Sequence, residues 1–357
     1  MPSPRHASAH ARAGPSLVQA ARPSALVVES ASPAAGPVVR AARARLADRL
    51  VTATVILACG VVLLRTILLH SFDGAWAPVA RALDYTVDPP WRHRVLLVWV
   101  ANGFRALHPA LTPFQAYFAS QVVAVFLALG LITRWAGRFV PRREVWAAPA
   151  LLTLILVQTI TYRTFYDFAI VACYAFALEL VFQRRLAAYF AVLAAGTLNH
   201  EIALFLIPLF VALYFDRAPS RAWLIGWTAL QLAVYGTVRL GLLLALPVGS
   251  FWQGGKLAYN LGLVAGLKPA LLFGVGSLVF WLALAMLAWP RVTPLLRRCV
   301  WLLPLIAAEV AVVGQLNEPR QFCAFFPVLV AMLIQGLSAA PVAVEIRRPA
   351  PPALELA

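Results

Sequence analysis

Long apolar stretches recur along this chain from Val51 to Ala340, and only short polar clusters separate them. The stretches hold about 13 to 25 residues each, and a helix of about 20 apolar residues crosses a bilayer core. With 62% hydrophobic and 12% charged residues, the chain is unlike a soluble domain. The pattern predicts an all-α integral membrane protein of about ten transmembrane helices.

The net charge of +16 does not indicate a nucleic-acid partner. Nucleic-acid-binding proteins gather basic residues on one face, whereas here they are scattered at the ends of apolar stretches. Membrane topology accounts for them better, because arginines flanking spans stay in the cytoplasm. The four cysteines fall in or beside apolar stretches without metal-ligand spacing, which is typical of small packing residues.

Arginine positions predict the orientation and the domain limits. Residues 1–46 are predicted to form a disordered cytoplasmic tail, and residues 341–357 a second cytoplasmic tail. Between them, residues 47–340 form the membrane domain, in which the first span ends near His70. Residues 71–112 then make the first outer loop, with interfacial helices. We expect a multi-pass protein of a bacterial cytoplasmic (inner) membrane with both termini in the cytoplasm.

Two kinds of polar break alternate after the second span. One kind is basic and fits the cytoplasm. The other mixes charged residues with aromatic or amide residues, and its members are predicted to share the outer face. They are YRTFYDF (162–168), NHE (199–201), SFWQGGK (250–256) and NEPR (317–320).

The apolar segment 186–215 allows two interpretations. A single helix of this length would extend about 45 Å, too long for a core of about 30 Å without a steep tilt. It would also place the arginines at its two ends on opposite sides of the membrane. We therefore favour a hairpin of two short arms with the NHE tip below the outer surface, in a cavity that shields its polar backbone.

Several outer-face residues are suited to chemistry. Asp73 follows the first span and precedes a glycine, so its carboxylate can approach a ligand. Arg92 and Arg94 have the two-pronged guanidinium that recognises phosphate, although arginines here can also extend to lipid headgroups. His200 and Glu201 match the start of a zinc HExxH motif, but its second histidine is absent.

No P-loop, GxSxG elbow or dinucleotide fingerprint occurs in the sequence. An outward-facing site lacks ATP, so its donor must arrive already activated and through the lipid. A lipid-phosphate-linked sugar meets both conditions. Its phosphate would bind arginines, and a carboxylate would deprotonate the acceptor hydroxyl.

Over residues 50–340 the pattern resembles the GT-C superfamily of membrane glycosyltransferases, within it the small bacterial proteins. The motifs are Phe72-Asp73-Gly74, Trp-Arg-His-Arg-Val-Leu (91–96), the tips Tyr166-Asp167-Phe168 and Asn199-His200-Glu201, and Asn317-Glu318-Pro319-Arg320 before a span with Pro327. The similar proteins tend to have Asn-Arg-Glu at the second tip, so His200 is a departure.

The resemblance implies an inverting enzyme that moves a sugar from a polyprenyl-phosphate donor to a glycan or lipid-linked acceptor. It implies Asp73 as catalytic base, Arg92, Arg94 and Arg320 on the phosphate, and Glu201 or Glu318 on sugar hydroxyls or on a divalent metal, Mg²⁺ or Mn²⁺. The remaining substrate-binding candidates are Asp167, Asn199 and His200.

A rival interpretation is a transporter or lipid flippase with an outward-opening polar cavity. Glu179, Arg239 and Glu309 lie within spans, where we expect them to pair with each other or with water, and they would form its pathway. No convincing repeat supports this alternative. The sequence also leaves open a polysaccharide ligase with the same geometry.

Overall fold

A computed structural model describes residues 37–71, 76–87, 91–160, 166–246 and 256–342. These residues form fourteen α-helices and five short 3-10 helices, and no β-strand occurs among them. The fold is therefore all-helical, as predicted. The α-helices are α1 (Pro37–Ser71), α2 (Trp76–Leu83), α3 (Leu96–Leu107), α4 (Pro113–Ala136), α5 (Ala147–Val157), α6 (Asp167–Phe182), α7 (Leu186–Asn199), α8 (Leu206–Tyr214), α9 (Arg221–Ala245), α10 (Leu257–Ala265), α11 (Pro269–Leu287), α12 (Pro294–Cys299), α13 (Leu302–Val312) and α14 (Phe326–Leu337).

Among the described residues, three helices are long and apolar enough to cross a membrane: Ala41–His70 within α1, α4, and α9. The 24 residues of α4 extend about 36 Å, more than the thickness of a bilayer core. Large apolar side chains on α1 and α9 are exposed, an arrangement that lipid tolerates and water does not. They include Leu50, Leu57, Val61, Ile225, Leu232 and Leu244. The chain is a helical membrane protein.

The start of α1 differs from the expected domain limit. The composition of residues 1–46 predicts disorder, yet α1 begins at Pro37 and continues into the first apolar stretch. Residues 37–46 are rich in alanine and arginine, which favour helix, and proline is favoured at the first helical position. Residues 1–36 and 343–357, which hold most of the two predicted tails, lie outside the described residues.

The segment 71–112, which is predicted to be the first outer loop, contains the helices α2 and α3. α3 buries Leu97, Val98 and Ala101 and exposes Trp99 and Leu107. Such an amphipathic surface suits a helix that covers the bundle on one side and meets a membrane interface on the other. α4 follows, and its N-cap is Thr112, whose side chain accepts a hydrogen bond from the Gln115 backbone N–H at 3.3 Å.

The segment 186–215 folds as a hairpin. His200 has an extended backbone between α7 and a 3-10 helix, so the helix is interrupted there. The Tyr214 hydroxyl, at the end of α8, donates to the Val181 carbonyl oxygen at 3.1 Å. Because Val181 lies just before α7, α8 returns to the level at which α7 began. The predicted hairpin is confirmed, and the single long helix is excluded.

The bundle has two chemically different ends, which α6 connects. Asp167 is its first residue and Glu179 lies twelve residues later, about 18 Å along the axis. We name the two ends after Glu201 and Glu179. The Glu201 end includes Arg94, Asp167, Glu201, Glu318 and Arg320, and the Glu179 end includes Arg134, Arg138, Glu179, Tyr214, Asp216 and Arg298.

At the Glu179 end, Glu179 does not form the expected pairs with the other charges that lie within spans. Arg134 and Arg138 both donate hydrogen bonds to the Glu179 carboxylate. Glu179 therefore pairs with these two arginines of the α4 region instead of with Arg239 or Glu309. α4 and α6 lie side by side here, and the Trp135 and Phe182 rings meet edge to face at 5.0 Å.

Candidate functional site

Five charged side chains from four separate segments meet at the Glu201 end, and we call them the charged cluster. Arg94 lies between a short 3-10 helix and α3, Asp167 is the first residue of α6, and Glu201 follows α7. Glu318 and Arg320 lie just before α14. Three of the four mixed polar breaks in the sequence thus contribute to one site.

Arg94 and Glu201 form a two-pronged ion pair. Arg94 Nε donates to Glu201 Oε2 at 3.2 Å, and Arg94 Nη2 donates to Glu201 Oε1. The Arg94 guanidinium also stacks over the Tyr166 ring, 5.5 Å from its centroid. Because the Arg94 side chain is buried and both carboxylate oxygens are engaged, this pair fixes the first outer loop against the α7–α8 tip.

A main-chain hydrogen bond supports this attachment. The backbone N–H of Val95 donates to the Leu198 carbonyl oxygen at 2.8 Å. Next to it, the His93 ring nitrogen Nε2 donates to the Leu246 carbonyl oxygen at 3.1 Å, which ties the same loop to the end of α9. His93 is buried and serves as a structural contact.

Arg320 connects the other two acids of the charged cluster. Its Nη2 donates to Glu318 Oε2 at 2.7 Å, and its Nη1 approaches Asp167 Oδ2 at 3.5 Å. Gln321 adds a hydrogen bond to Glu318 Oε2 at 3.2 Å. Asp167 and Arg320 are both buried, so each charge depends on its partner rather than on water.

The tip between α7 and α8 orients its polar side chains toward the protein. Asn199 Nδ2 donates to the Tyr166 carbonyl oxygen at 3.1 Å, which joins this tip to the start of α6. His200 Nδ1 accepts a hydrogen bond from the Ile202 backbone N–H at 3.2 Å. That contact requires a lone pair on Nδ1, so the imidazole is neutral in this arrangement.

The segment before α14 is held by a close contact with α11. A Cβ atom on Gly274 would lie 2.7 Å from the carbonyl carbon and 2.9 Å from the Cα of Asn317. Only glycine lets these two backbones approach so closely. Gly274 therefore sets the position of the segment that carries Glu318 and Arg320.

Arg92, a predicted phosphate ligand, forms a hydrogen bond elsewhere. Arg92 Nε donates to the Val87 carbonyl oxygen at 3.0 Å, within the first outer loop. Asp73, the predicted catalytic base, lies outside the described residues. The other predicted residues are in the charged cluster or in the tip that contacts it.

Three polar residues beside the cluster had no predicted role in this site. The Tyr235 hydroxyl donates to the Glu201 carbonyl oxygen at 3.1 Å. Arg239 lies one helical turn beyond Tyr235 on α9, and α13, which holds Glu309, packs against the 3-10 helix that begins at Glu201. Arg239 and Glu309 were visible in the sequence as charges within apolar stretches, a signal of function, but the sequence does not show which way each faces.

The described residues do not fit the divalent metal that the resemblance implies. No group of three His, Cys, Asp or Glu side chains that could hold a metal occurs among them. The acids that are present bind arginines: Glu201 binds Arg94, while Asp167 and Glu318 share Arg320. We therefore derive no step through a metal.

A separate groove of about 780 Å³ runs along α8 from Ile207 to Asp216. Its lining is mostly apolar and includes Phe215 and Trp301, with the Asp216–Arg298 ion pair at its edge. The residues that line this groove do not form a recognisable catalytic arrangement.

Comparisons with known proteins found no relative of this chain. No protein-family model matches this chain, and neither curated proteins nor solved structures gave a match. Function is therefore inferred from the site and from the sequence motifs. The site offers buried guanidinium groups and carboxylates at one end of a membrane bundle, which can bind phosphate, accept hydrogen bonds from hydroxyl groups and accept a proton.

Proposed function

We propose that this protein is an inverting membrane glycosyltransferase of the GT-C type. It transfers a sugar from a polyprenyl-phosphate-linked donor to a glycan or lipid-linked acceptor. The observation that supports this most is the charged cluster, in which buried arginines and carboxylates from four segments meet at one end of a membrane protein. Buried charge is costly beside lipid and is typically kept for function.

The reaction balances as a single displacement. The acceptor hydroxyl oxygen attacks the anomeric carbon opposite the phosphate, and the bond between that carbon and the phosphate oxygen breaks. Polyprenyl phosphate leaves with the electron pair, and the hydroxyl proton passes to a carboxylate, for which Asp73 is our candidate. We assign Glu201 and Glu318 to sugar hydroxyls and Arg92 to the phosphate region. Arg94 and Arg320 hold these two acids in place.

The same proposal includes a topology of ten spans with both termini in the cytoplasm and the Glu201 end outside. The arginine-rich Glu179 end then faces the cytoplasm, in agreement with the positive-inside rule. A single cysteine at exposed Asp84 should react with an impermeant maleimide from outside, and one at exposed Arg221 only after permeabilisation. The reverse labelling result would show that the topology is inverted, and the proposal of a lipid-linked donor at the outer face would then fail.

Lipid mass spectrometry tests the function directly. A strain lacking the protein is complemented with wild type, Asp73→Asn or Asp84→Asn, the last being a matched acid-to-amide change in the same loop. We expect a polyprenyl-phosphate sugar to accumulate in the deletion and with Asp73→Asn, and to disappear with wild type and Asp84→Asn. Accumulation with Asp84→Asn alone would move the base to Asp84.

If no lipid-linked sugar changes in any strain, the proposal fails and the transporter becomes the better hypothesis. The structure offers that rival less support. Its suggested pathway combined Glu179, Arg239 and Glu309, but Glu179 is held by Arg134 and Arg138 at the opposite end of the bundle from the 3-10 helix at Glu201, where the helices of the other two charges meet.

A further inference from the structure

The charged cluster has no positive charge to spare for an anion. It holds two guanidinium groups, of Arg94 and Arg320, against three carboxylates. Arg94 is engaged by Glu201 through two bonds, and Arg320 bridges Asp167 and Glu318. A phosphate bound by these arginines would have to displace a carboxylate.

Arg239 differs from both of these arginines. It lies on α9, one helical turn beyond Tyr235. Within the part of the chain that the structure describes, it forms no ion pair, and its Nη1 is buried without a hydrogen-bond partner. A guanidinium stays protonated at any physiological pH, so this buried donor needs an acceptor from elsewhere. An anionic ligand supplies one.

Within the described part of the chain, Glu309 on α13 has a hydrogen-bond acceptor without a donor, whereas Arg239 has a donor without an acceptor. Its Oε2 is buried and accepts no hydrogen bond from any described residue. α13 packs against the 3-10 helix that begins at Glu201, and the Tyr235 hydroxyl on α9 donates to the carbonyl oxygen of Glu201. The two residues with unmet hydrogen bonds, Arg239 and Glu309, thus lie on helices that meet at this 3-10 helix. Such a pair suits a ligand that has negative charge at one point and hydroxyl donors at another.

We propose that Arg239, Tyr235 and Glu309 form a binding site for a glycosyl phosphate. Arg239 binds the phosphate, and Glu309 accepts a hydrogen bond from a sugar hydroxyl. Arg94 and Arg320 then act as positioning residues that hold the acids of the charged cluster. The anion site stands on the unmet hydrogen bonds alone, whereas a lipid-linked ligand rests on the proposed function.

Binding to the purified full-length protein in nanodiscs tests this assignment. The probes are farnesyl phosphate, farnesol and inorganic phosphate, and the variants are Arg239→Gln and Arg221→Gln. Arg221 is exposed at the other end of α9 and is the matched control. We expect farnesyl phosphate to bind wild type and Arg221→Gln equally and Arg239→Gln about tenfold or more weakly, while farnesol does not bind.

Unchanged affinity of Arg239→Gln for farnesyl phosphate overturns the anion site and leaves the glycosyltransferase proposal standing. If Arg239→Gln does not fold, Arg239→Lys replaces it, because lysine keeps the charge but loses the two-pronged geometry. We expect binding weakened about threefold or more, and unchanged affinity again overturns the site. Failure of wild type to bind either phosphate probe overturns it as well.

Two further arms separate the sources of the ligand. Binding of inorganic phosphate as tight as that of farnesyl phosphate, lost in Arg239→Gln, confirms the anion site and overturns the lipid-linked donor. Glu309→Gln should weaken a farnesyl-phosphate-linked hexose and leave farnesyl phosphate unaffected. Equal affinity of the hexose conjugate for wild type and Glu309→Gln overturns the assignment of Glu309 to the sugar.

Discussion

The two ends of the bundle both use arginine–carboxylate pairs, but the arginines differ in exposure, although the Glu179 carboxylate is itself buried. At the Glu179 end the guanidinium groups reach solvent, with the Arg134 side chain 58% and the Arg298 side chain 33% exposed. At the Glu201 end the side chains of Arg94 and Arg320 are each 9% exposed, and that of Asp167 is 4% exposed. The same two functional groups therefore have different energetic roles.

When an exposed ion pair forms, each charge exchanges its interaction with water for a similar interaction with its partner. Such pairs therefore contribute little to stability. Buried pairs have lost water already, so removal of one partner leaves an uncompensated charge. A chain that needed only stability could replace a buried pair with apolar residues at little cost. That this chain keeps two such pairs together at the Glu201 end is the reason we locate function there.

Substitution of Arg320 is the severest test of this comparison. Arg320→Ala leaves Asp167 and Glu318 without the guanidinium that they share, and we expect the free energy of unfolding to fall by about 3 to 5 kcal/mol. Thermal unfolding in detergent micelles measures the change. Arg134→Ala is the matched control at the Glu179 end, where Arg138 still binds Glu179.

For Arg134→Ala we expect a loss of less than about 1 kcal/mol, because this arginine is largely solvated. Equal losses for the two variants would remove the distinction between the ends. The charged cluster would then have to be read as an ordinary set of solvated pairs.

Substitution at Gly274 tests how the cluster is positioned. In Gly274→Ala the new methyl group meets the backbone of Asn317, so α11 and the segment with Glu318 must move apart. We expect a destabilisation of about 1 to 3 kcal/mol and reduced transfer activity. Both are measured beside Gly276→Ala on the same helix.

At Gly276 a Cβ would meet no heavy atom of the described residues within 4 Å, and alanine favours helix. Gly276→Ala should therefore be neutral or slightly stabilising. A Gly274→Ala protein as stable and as active as Gly276→Ala would show that the contact with Asn317 can be relieved without cost.

The smallest effect is expected at Asp216, in the loop between α8 and α9. The hydrogen bond from Arg298 lowers the pKa of the Asp216 carboxyl below its ordinary value. Since the folded pKa is the lower one, the stabilisation is present above the unfolded pKa and is lost as the pH falls through the folded pKa. Asp216→Asn should cost less than about 1 kcal/mol at pH 7.

Screening by salt provides the check on Asp216. In about 1 M salt, and again at acidic pH, the difference between wild type and Asp216→Asn should shrink. A difference that persists unchanged in both conditions would mean that the pair is not solvated, contrary to its exposure.

The sequence was sufficient for the outline of the fold. Apolar patterning predicted an all-helical membrane protein, and a length argument predicted the turn at residues 199–201, because a single helix over 186–215 is too long for a bilayer. Local composition misled at residues 37–46, where helix propensity and a long continuous helix outweigh a biased composition.

Charge partners were beyond the reach of the sequence. Arg94 and Glu201 are 107 residues apart, and Arg138 and Glu179 are 41 apart. Whether two such groups meet depends on how each helix is rotated about its axis, which side-chain packing determines. For the same reason the sequence marked Arg239 and Glu309 as unusual without indicating that their helices meet at the 3-10 helix that begins at Glu201.

The hairpin of α7 and α8 has a consequence for how the protein is made. α7 has 14 residues and extends about 21 Å, and α8 is shorter, so neither arm alone is a full span. A translocon that releases helices one at a time would present an incomplete span to lipid, with the polar tip exposed. The two arms must therefore leave the translocon together, after synthesis has passed Tyr214.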